Sequence, residues 1–269
     1  MDEKYEKFFQ LNKETWDKKV SIHAKSEFYD VEGFIKGKSS LNSYELNELG
    51  DVKGKSLLHL QCHFGQDTLS LSRLGATCTG IDFSSEGIKQ AKTLNKELGL
   101  DAKFIESNLY DVPKNVKDKF DIVFTSYGVI GWLPDLEKWA QIIADKLKPG
   151  GVFYLIEFHP IVWMFDFLET PPKLTYPYLN GGAIYEEYKG TYTNNDAEII
   201  SKEYGWNHGL GEVLTSLINA GLEIEFLHEF EKSPYNSFPE MEKTSDGMFV
   251  LKENQRMIPL LYSIRAIKK

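Results

Sequence analysis

The sequence predicts an α/β fold with a doubly wound, mostly parallel β-sheet and helices on both of its faces. Short apolar runs recur at residues 56–60, 76–81, 120–123 and 152–158, and such runs are typical of strands buried on both sides. Helical patterns, several of them ended by glycine, separate these runs. In open sheets of this kind, ligands bind beyond the carboxyl ends of the strands. The residues that follow each run are therefore the candidates for a functional site.

The first strand and its turn begin a nucleoside-binding half-site within residues 55–84. Residues 56–60 form the strand, and Gly65 closes the turn. Asp67 or Thr68 caps the following helix, whose free backbone N–H groups and positive dipole end face the region above the strand. The turn thus presents hydrogen-bond donors at the edge where ligands bind.

The second strand, at residues 76–81, delivers Asp82 to the same edge of the sheet. A carboxylate in this place can accept hydrogen bonds from both hydroxyls of a ribose. Ser84 or Ser85 caps the next helix. The segment therefore predicts a site for a cofactor that contains a nucleoside.

The residues of the turn after the first strand indicate which class of nucleoside cofactor the site can bind. A nicotinamide dinucleotide needs the pattern Gly-x-Gly-x-x-Gly, because its pyrophosphate touches the backbone. Residues 61–65 read Gln-Cys-His-Phe-Gly, so bulky polar side chains stand where close glycines are needed. A NAD-dependent oxidoreductase is therefore disfavoured and is kept as an alternative that the absorbance of reduced cofactor would reveal.

Several segments, taken in order, resemble the class I S-adenosylmethionine-dependent methyltransferases. The resembling segments are motif I at residues 59–65, the third-strand segment at 104–113, the fourth strand at 120–123 and the LKPGG turn within 146–151. The resemblance is strong over about residues 55–160 and weak elsewhere. It implies a Rossmann-like sheet of seven strands, in which the last strand, at residues 258–267, runs antiparallel.

The resemblance also implies S-adenosylmethionine as the cofactor and S-adenosylhomocysteine as the product. Asp82 would bind the ribose, Asn108 would face the adenine amino group, and the backbone N–H of Leu109 would reach the ring. The expected cofactor-binding set is completed by Gly65, Phe83 and Ser126.

Motif I departs from the family pattern at three positions. His59 stands where the family usually has Asp or Glu, and Gln61 and His63 stand where glycines are common. His59 or Gln61 is predicted to bind the methionine carboxylate or amino group, directly or through water. The structural alternative for His59 is a strand residue whose ring hydrogen-bonds to the backbone. Gln61 and His63 follow the strand directly and are favoured as cofactor neighbours.

The acceptor side of the site is predicted from residues near the ends of the fourth and fifth strands. Tyr127, Trp132 and Trp163 are candidates for an apolar substrate pocket. Methyl transfer from a sulfonium needs positioning, and a base contributes only when the acceptor starts protonated. His159 and His208 are the candidate bases, and each has a structural alternative as a turn or helix-start residue.

The chain divides into four predicted regions, taken in order. These are an N-terminal helical extension or lid at residues 1–50, the cofactor-binding core at 51–160, an insertion that covers the substrate at 161–200, and the final helix and strands at 201–269. His23, Tyr29 and Lys38 are candidates for closing the extension over the cofactor, with a structural role as the alternative for each.

Composition narrows the functional class. The net charge of −9 and the absence of a Lys- and Arg-rich cluster disfavour a nucleic-acid partner. The charged N-terminus predicts no secretion signal, and no stretch is apolar enough to cross a membrane. Cys62 and Cys78 lack disulfide or zinc-ligand spacing, which predicts reduced thiols, no metal site and a cytoplasmic location.

The interpretation that follows is a methyltransferase acting on a small-molecule acceptor. A noncatalytic S-adenosylmethionine-binding module is the alternative that the altered motif I suggests. That module would bind the cofactor without turnover. The acceptor atom and the oligomeric state are not specified by the sequence.

Overall fold

A computed structural model describes residues 3–167, 169, 171–252 and 258–269. The described α-helices are α1 (Glu3–His23), α2 (Val31–Ile35), α3 (Ser43–Leu49), α4 (Gln66–Arg73), α5 (Ser85–Glu97), α6 (Val112–Asn115), α7 (Leu136–Lys146) and α8 (Leu210–Asn219). The described strands are β1 (Ser56–Leu60), β2 (Thr77–Asp82), β3 (Lys103–Glu106), β4 (Phe120–Ser126), β5 (Leu147–Phe158), β6 (Phe165–Asp166), β7 (Lys173–Leu174), β8 (Ile184–Lys189), β9 (Ile200–Gly205), β10 (Leu222–Phe230), β11 (Lys232–Ser233), β12 (Glu242–Lys243), β13 (Phe249–Val250) and β14 (Leu261–Lys268).

Seven of these strands form the central sheet in the order β10-β14-β5-β4-β1-β2-β3. Strand β14 runs antiparallel to β5 and β10, whereas the pairs from β5 to β3 are parallel. The predicted seven-stranded, mostly parallel sheet with an antiparallel last strand is thereby confirmed. The strand order reverses between β1 and β4, which creates a crevice at their carboxyl ends.

Two hydrophobic layers cover the faces of the sheet. Along β1, Leu57 packs into the layer that contains α4 and α5, and Leu58 packs into the layer that contains α7 and α8. Both leucines have no exposed surface, as expected for a strand covered on both faces. Trp139 on α7 is fully buried in the second layer.

Of the two helix caps that the sequence predicts, one is confirmed and one is wrong. Ser84 caps α5, because its Oγ accepts a hydrogen bond from the backbone N–H of Gly87. The cap predicted for α4 is wrong. Gly65, in a left-handed conformation, precedes the helix, and Asp67 and Thr68 lie inside its first turn. Their side chains are used in contacts across the sheet instead.

The insertion after β5 contains a hairpin that crosses its predicted end. Strands β8 and β9 pair as an antiparallel hairpin, and β9 begins at residue 200, the predicted boundary, and ends at Gly205. A second addition is a small sheet of β11, β13 and β12, which lies between β10 and β14 along the chain. It was not predicted from the sequence.

Helix α1 docks against this hairpin through side chains that pair with the backbone of β9. The Asn12 side chain donates to the carbonyl of Tyr204 and accepts from its N–H, each at 2.8 Å. Thr15 donates to the carbonyl of Lys202 at 2.8 Å. The N-terminal extension therefore joins the insertion, and both lie over the carboxyl edge of the sheet.

Two further features bear on the composition-based expectations. Cys62 and Cys78 are buried and unpaired. Among the described helices, none combines the length and the apolar character that crossing a membrane requires.

Candidate active site

A cavity of about 1110 Å³ opens at the carboxyl edge of the sheet, where the strand order reverses. Its wall brings together residues from the ends of β1, β2, β4 and β5 and from both covering segments. The predicted site residues on this wall are His59, Gln61, His63, Gly65, Asp82, Phe83, Asn108, Ser126, Tyr127, Trp132 and Trp163.

The turn after β1 keeps a glycine-like backbone although two of its residues carry large side chains. Gln61, His63 and Gly65 have φ values of 56°, 51° and 83°. A left-handed conformation costs about 1–2 kcal/mol for a residue other than glycine. At Gly65 a Cβ would lie 2.6 Å from the ring of Phe104, so glycine is required there by packing as well. The altered motif I thus retains the backbone shape that the resemblance implies.

The two large side chains of the turn reach in different directions. Gln61 donates from Nε2 to the carbonyl of Val129 at 2.9 Å, while its buried Oε1 has no hydrogen-bond partner among the described residues. His63 Nε2 lies 3.1 Å from Nδ1 of His23 on α1. Burial lowers the pKa of His63 to about 3 and that of His23 to about 2. Both rings are therefore neutral and share one proton between the facing nitrogens.

Asp82 is fixed at the end of β2 by the backbone on either side of it. Its Oδ2 accepts from the N–H of His63 and its Oδ1 accepts from the N–H of Ser84, both at 2.8 Å. A carboxylate has about four acceptor positions, so these bonds leave room for two more donors. Asp82 is buried, and the loss of water around its carboxylate raises its pKa to about 7.

The residues after β3 divide between the cavity and the core. Asn108 lines the cavity, and its Oδ1 accepts from the N–H of Tyr110 at 3.0 Å, which fixes the side chain. The apolar side chain of Leu109 is buried in the core beside the helices that follow β3. The contact predicted for Leu109 is made by its backbone N–H, so it stays a prediction.

His59 is held by two hydroxyl groups. Its Nδ1 lies 2.8 Å from Oγ1 of Thr68, and its Nε2 lies 3.3 Å from Oγ of Ser126. Ser126 donates its proton to Asp67 at 2.9 Å, so it accepts from His59 Nε2–H, and His59 Nδ1 accepts from Thr68. Burial lowers the pKa of His59 to about 3. The ring is a neutral part of the wall, fixed by side chains and not by the backbone as its structural alternative predicted.

His159 was predicted as a catalytic base, and the structure places it outside the cavity. Its side chain is buried beside β10, with Nε2 at 2.9 Å from Glu229, and its Nδ1 accepts from the N–H of Ile161 at 3.2 Å. Burial lowers its pKa. Its role is to shape the turn after β5, which corrects the prediction.

His208 is likewise absent from the cavity wall. Its buried Nε2 donates to the carbonyl of Leu133 at 2.7 Å, and Nδ1 lies 3.0 Å from Glu212 one helical turn later. The ring therefore ties the start of α8 to the loop after β4. The structural alternative applies to both histidines, because one nitrogen of each ring hydrogen-bonds to the backbone and the other lies beside a carboxylate.

The loop after β4 carries several wall residues and is anchored from β5. The buried carboxylate of Glu157 accepts from the backbone N–H groups of Gly128, Val129 and Ile130. These bonds fix the loop that presents Tyr127 and Trp132 to the cavity. Glu157 is thus a structural acceptor.

The covering segments supply an aromatic wall, much of which the sequence did not indicate. Its aromatic residues from the loop after β4, the end of β5, the insertion and the segment after β10 are Trp132, Phe158, Trp163, Phe165, Phe167, Tyr176, Tyr188, Tyr192, Trp206, Tyr235 and Phe238. Glu186 and Glu203 line the same part of the cavity. Aromatic residues scattered over distant segments give no local signal of a shared pocket.

Two contacts hold the cover in place. Lys19 of α1 forms a buried ion pair with Glu203 of β9 and lies 2.9 Å from the hydroxyl of Tyr188. Tyr29, from the loop after α1, hydrogen-bonds to Tyr192 of the insertion. Among the candidates for closure, Tyr29 and Lys38 line the cavity, and His23 is buried behind His63.

Known proteins share both the sequence pattern and the fold. Residues 58–155 match the family model described as "Methyltransferase domain". An uncharacterised methyltransferase of Synechocystis sp. is 30% identical over 133 residues, which cover 49% of this chain and 60% of that protein. The ubiquinone biosynthesis O-methyltransferase of Proteus mirabilis is 27% identical over 156 residues, covering 51% and 63%. The chain thus spans about three fifths of these relatives.

Solved structures share the architecture over nearly the whole chain. A methyltransferase of Mesorhizobium loti, described as S-adenosylmethionine dependent, aligns with a TM-score of 0.57 at 19% identity, covering 87% of this chain and 100% of that one. One of the same description from Clostridium acetobutylicum gives 0.58 at 14% identity, covering 98% of each chain. At these identities the likeness supports the fold.

Proposed function

Since the chain belongs, through its domain at residues 58–155, to the class I S-adenosylmethionine-dependent methyltransferases, we propose that it transfers a methyl group from S-adenosylmethionine to a small molecule. The observation that carries the proposal is the single cavity wall that joins Asp82 and Asn108, at the nucleoside side, to the aromatic cover. Such a cavity holds a cofactor and an acceptor next to each other.

The wall fits the cofactor at its nucleoside end. Asp82 keeps acceptor positions for the two ribose hydroxyls, and Asn108 and Phe83 stand where the adenine would lie. The turn with Gln61, His63 and Gly65 keeps the backbone that lets a ligand lie close above β1. S-adenosylmethionine, when bound, supplies a methyl group activated by a positively charged sulfur.

The acceptor side contributes position and the exclusion of water. Trp132, Trp163 and the aromatic residues of the cover suit an organic acceptor with an apolar or ring-bearing body. With His159 and His208 outside the cavity, the proposed catalysis depends on alignment of acceptor and methyl group. An oxygen acceptor is one candidate, since relatives of this chain are named as O-methyltransferases.

The enclosed pocket also bears on partners and location. An acceptor must fit beneath the cover, and the net charge of −9 opposes a phosphate backbone, so we favour a small molecule over nucleic acid. The buried, unpaired Cys62 and Cys78 suit a reducing compartment, which supports a cytoplasmic location.

Isothermal titration calorimetry with S-adenosylmethionine, S-adenosylhomocysteine and NAD tests the proposal first. We expect binding of the first two and none of NAD. Binding of NAD alone would overturn the proposal. A subsequent screen of hydroxyl- and amine-bearing small molecules should give S-adenosylhomocysteine as a product, and cofactor binding without product on any acceptor would favour the noncatalytic module.

A further inference from the structure

A carboxylate with no cation beside it stands on the cavity wall near β1 and β4. Asp67, in the first turn of α4, lines the cavity and accepts from Ser126 Oγ at 2.9 Å. Ser40 is a second hydroxyl donor to this carboxyl, and burial raises the pKa of Asp67. Among the ion pairs of the described residues, none includes Asp67. A buried carboxylate that keeps its charge normally has a cationic or multiple-donor partner.

A second carboxyl group lies close behind this wall and responds to the charge of Asp67. Glu45 of α3 is fully buried, and its Oε2 has no hydrogen-bond partner among the described residues. Burial and then the nearby charge of Asp67 raise the pKa of Glu45 to about 8. Asn42, which lines the cavity, and Tyr127 connect Glu45 to the wall.

An unsatisfied acceptor points to a donor-bearing ligand in the same region. Gln61 lines the cavity, and its buried Oε1 has no partner among the described residues. An ammonium group carries three N–H donors and no acceptor, and it would also supply the missing positive charge. The chemistry of this part of the wall therefore suits an ammonium.

The order of strands shows which end of the cofactor reaches this point. Asn108 follows β3, Asp82 ends β2, and the Ser126–Asp67 contact lies at the ends of β1 and β4. These strands are neighbours in the order β3, β2, β1, β4. A cofactor whose adenosine lies over β3 and β2 extends its amino-acid end over β1 and β4.

His59, the residue at the usual acidic position of motif I, does not supply charge. Its ring is neutral and is occupied by Thr68 and Ser126. Ser126 links this ring directly to the carboxylate of Asp67. The carboxyl group missing from β1 is thus present at Asp67, in the first turn of α4 beyond the turn that follows β1.

We propose that Asp67 binds the α-ammonium of S-adenosylmethionine, with Ser126 holding the carboxylate in place and Gln61 as a neighbouring acceptor. The inference rests on the proposed function, since it takes this cofactor as the ligand. Asp67 acts in binding and in positioning the amino-acid end. It contacts neither the ribose nor the acceptor.

The test compares ligands with and without the amino-acid end. Affinities of S-adenosylhomocysteine, its analogue that lacks the amino group, and 5′-methylthioadenosine are measured by calorimetry for the native chain and for Asp67→Asn. We expect Asp67→Asn to weaken S-adenosylhomocysteine about tenfold or more, the scale of one charge-assisted hydrogen bond, and to leave the other two unchanged. Asp67→Ser, a smaller variant, is measured in parallel in case the amide disturbs α4.

The controls separate the failure of this inference from that of the proposed function. Asp82→Asn should weaken all three ligands, because each contains the ribose. If the Asp67 variants weaken all three ligands equally, or none of them, while the native chain binds S-adenosylhomocysteine, the ammonium site is wrong and the proposed function stands. A native chain that binds none of the three ligands would overturn both.

Discussion

At the scale of single residues, the site depends on polar side chains whose protonation is set by burial. Asp82 is a carboxylate with a pKa raised to about 7, and His59 is an imidazole with a pKa lowered to about 3. The largest cause of each pKa shift is burial, which removes water from around the charged form. The cavity wall therefore carries polar groups whose remaining hydrogen bonds are made by a bound ligand and not by water.

Replacing Asp82 tests the nucleoside end of the site. Asp82→Ala should weaken S-adenosylmethionine binding by about a hundredfold or more, because two hydrogen bonds from the ribose to a carboxylate are lost. Calorimetry measures the affinity, and Asp101→Ala, at an exposed carboxylate, is the control. Unchanged affinity in Asp82→Ala would show that the ribose lies elsewhere.

Replacing Gln61 tests the strained turn. Gln61→Gly and Gln61→Ala both remove the bond to Val129, but only alanine keeps a Cβ in the left-handed conformation. The glycine variant should be more stable than the alanine variant by about 1 kcal/mol in urea denaturation. Equal stability of the two variants would mean that the turn relaxes to another backbone conformation.

The pH dependence of stability tests the buried state of His59. Its pKa is lowered to about 3 in the folded chain, so the unfolded chain binds more protons below the ordinary value of about 6.5. The stability that His59 contributes is complete above that pH and is lost as the pH falls. Relative to His59→Gln, the native chain should lose about 2 kcal/mol between pH 7 and pH 5 in urea denaturation. Parallel pH curves would show that His59 reaches water.

At the scale of elements, α1 is held against β9 by its own side chains, which hydrogen-bond to the backbone of β9 as a neighbouring strand would. Asn12→Ala would leave the N–H and carbonyl of Tyr204 without the partners they have in the structure. We expect a loss of about 2 kcal/mol in unfolding free energy and faster proteolysis of α1. Gln10→Ala, on the exposed face of the same helix, is the matched control and should have little effect. An equally small effect of Asn12→Ala would mean that α1 docks by apolar contacts alone.

At the scale of the whole molecule, the N-terminal extension and the insertion close the cavity together. Lys19 and Glu203 are buried on opposite sides of that contact. Lys19→Met should cost about 3–5 kcal/mol, because the carboxylate of Glu203 is left buried without its cation. Lys19→Met combined with Glu203→Gln should recover part of the loss, and Lys36→Met at an exposed pair should change little. Thermal unfolding measures all three, and no recovery in the double variant would rule out the charge as the cause.

Much of the fold and half of the site follow from short stretches of sequence. The run in β1, Gly65 in its turn and Asp82 at the end of β2 are each marked by neighbours within a few residues. Local periodicity and turn chemistry act over that range, so a strand, a turn and the nucleoside side of the cavity could be predicted.

By itself, then, the sequence determined the α/β sheet and the altered motif I, and it predicts a nucleoside half-site at the carboxyl edge. Only the tertiary structure decided that His159 and His208 are buried outside the cavity, and that Asp67 meets Ser126 across 59 positions of the chain. It also brought α1 onto the insertion hairpin. The physical reason is that the role of a polar side chain depends on the partners and the solvent around it, and these come from segments distant in sequence that leave no local pattern.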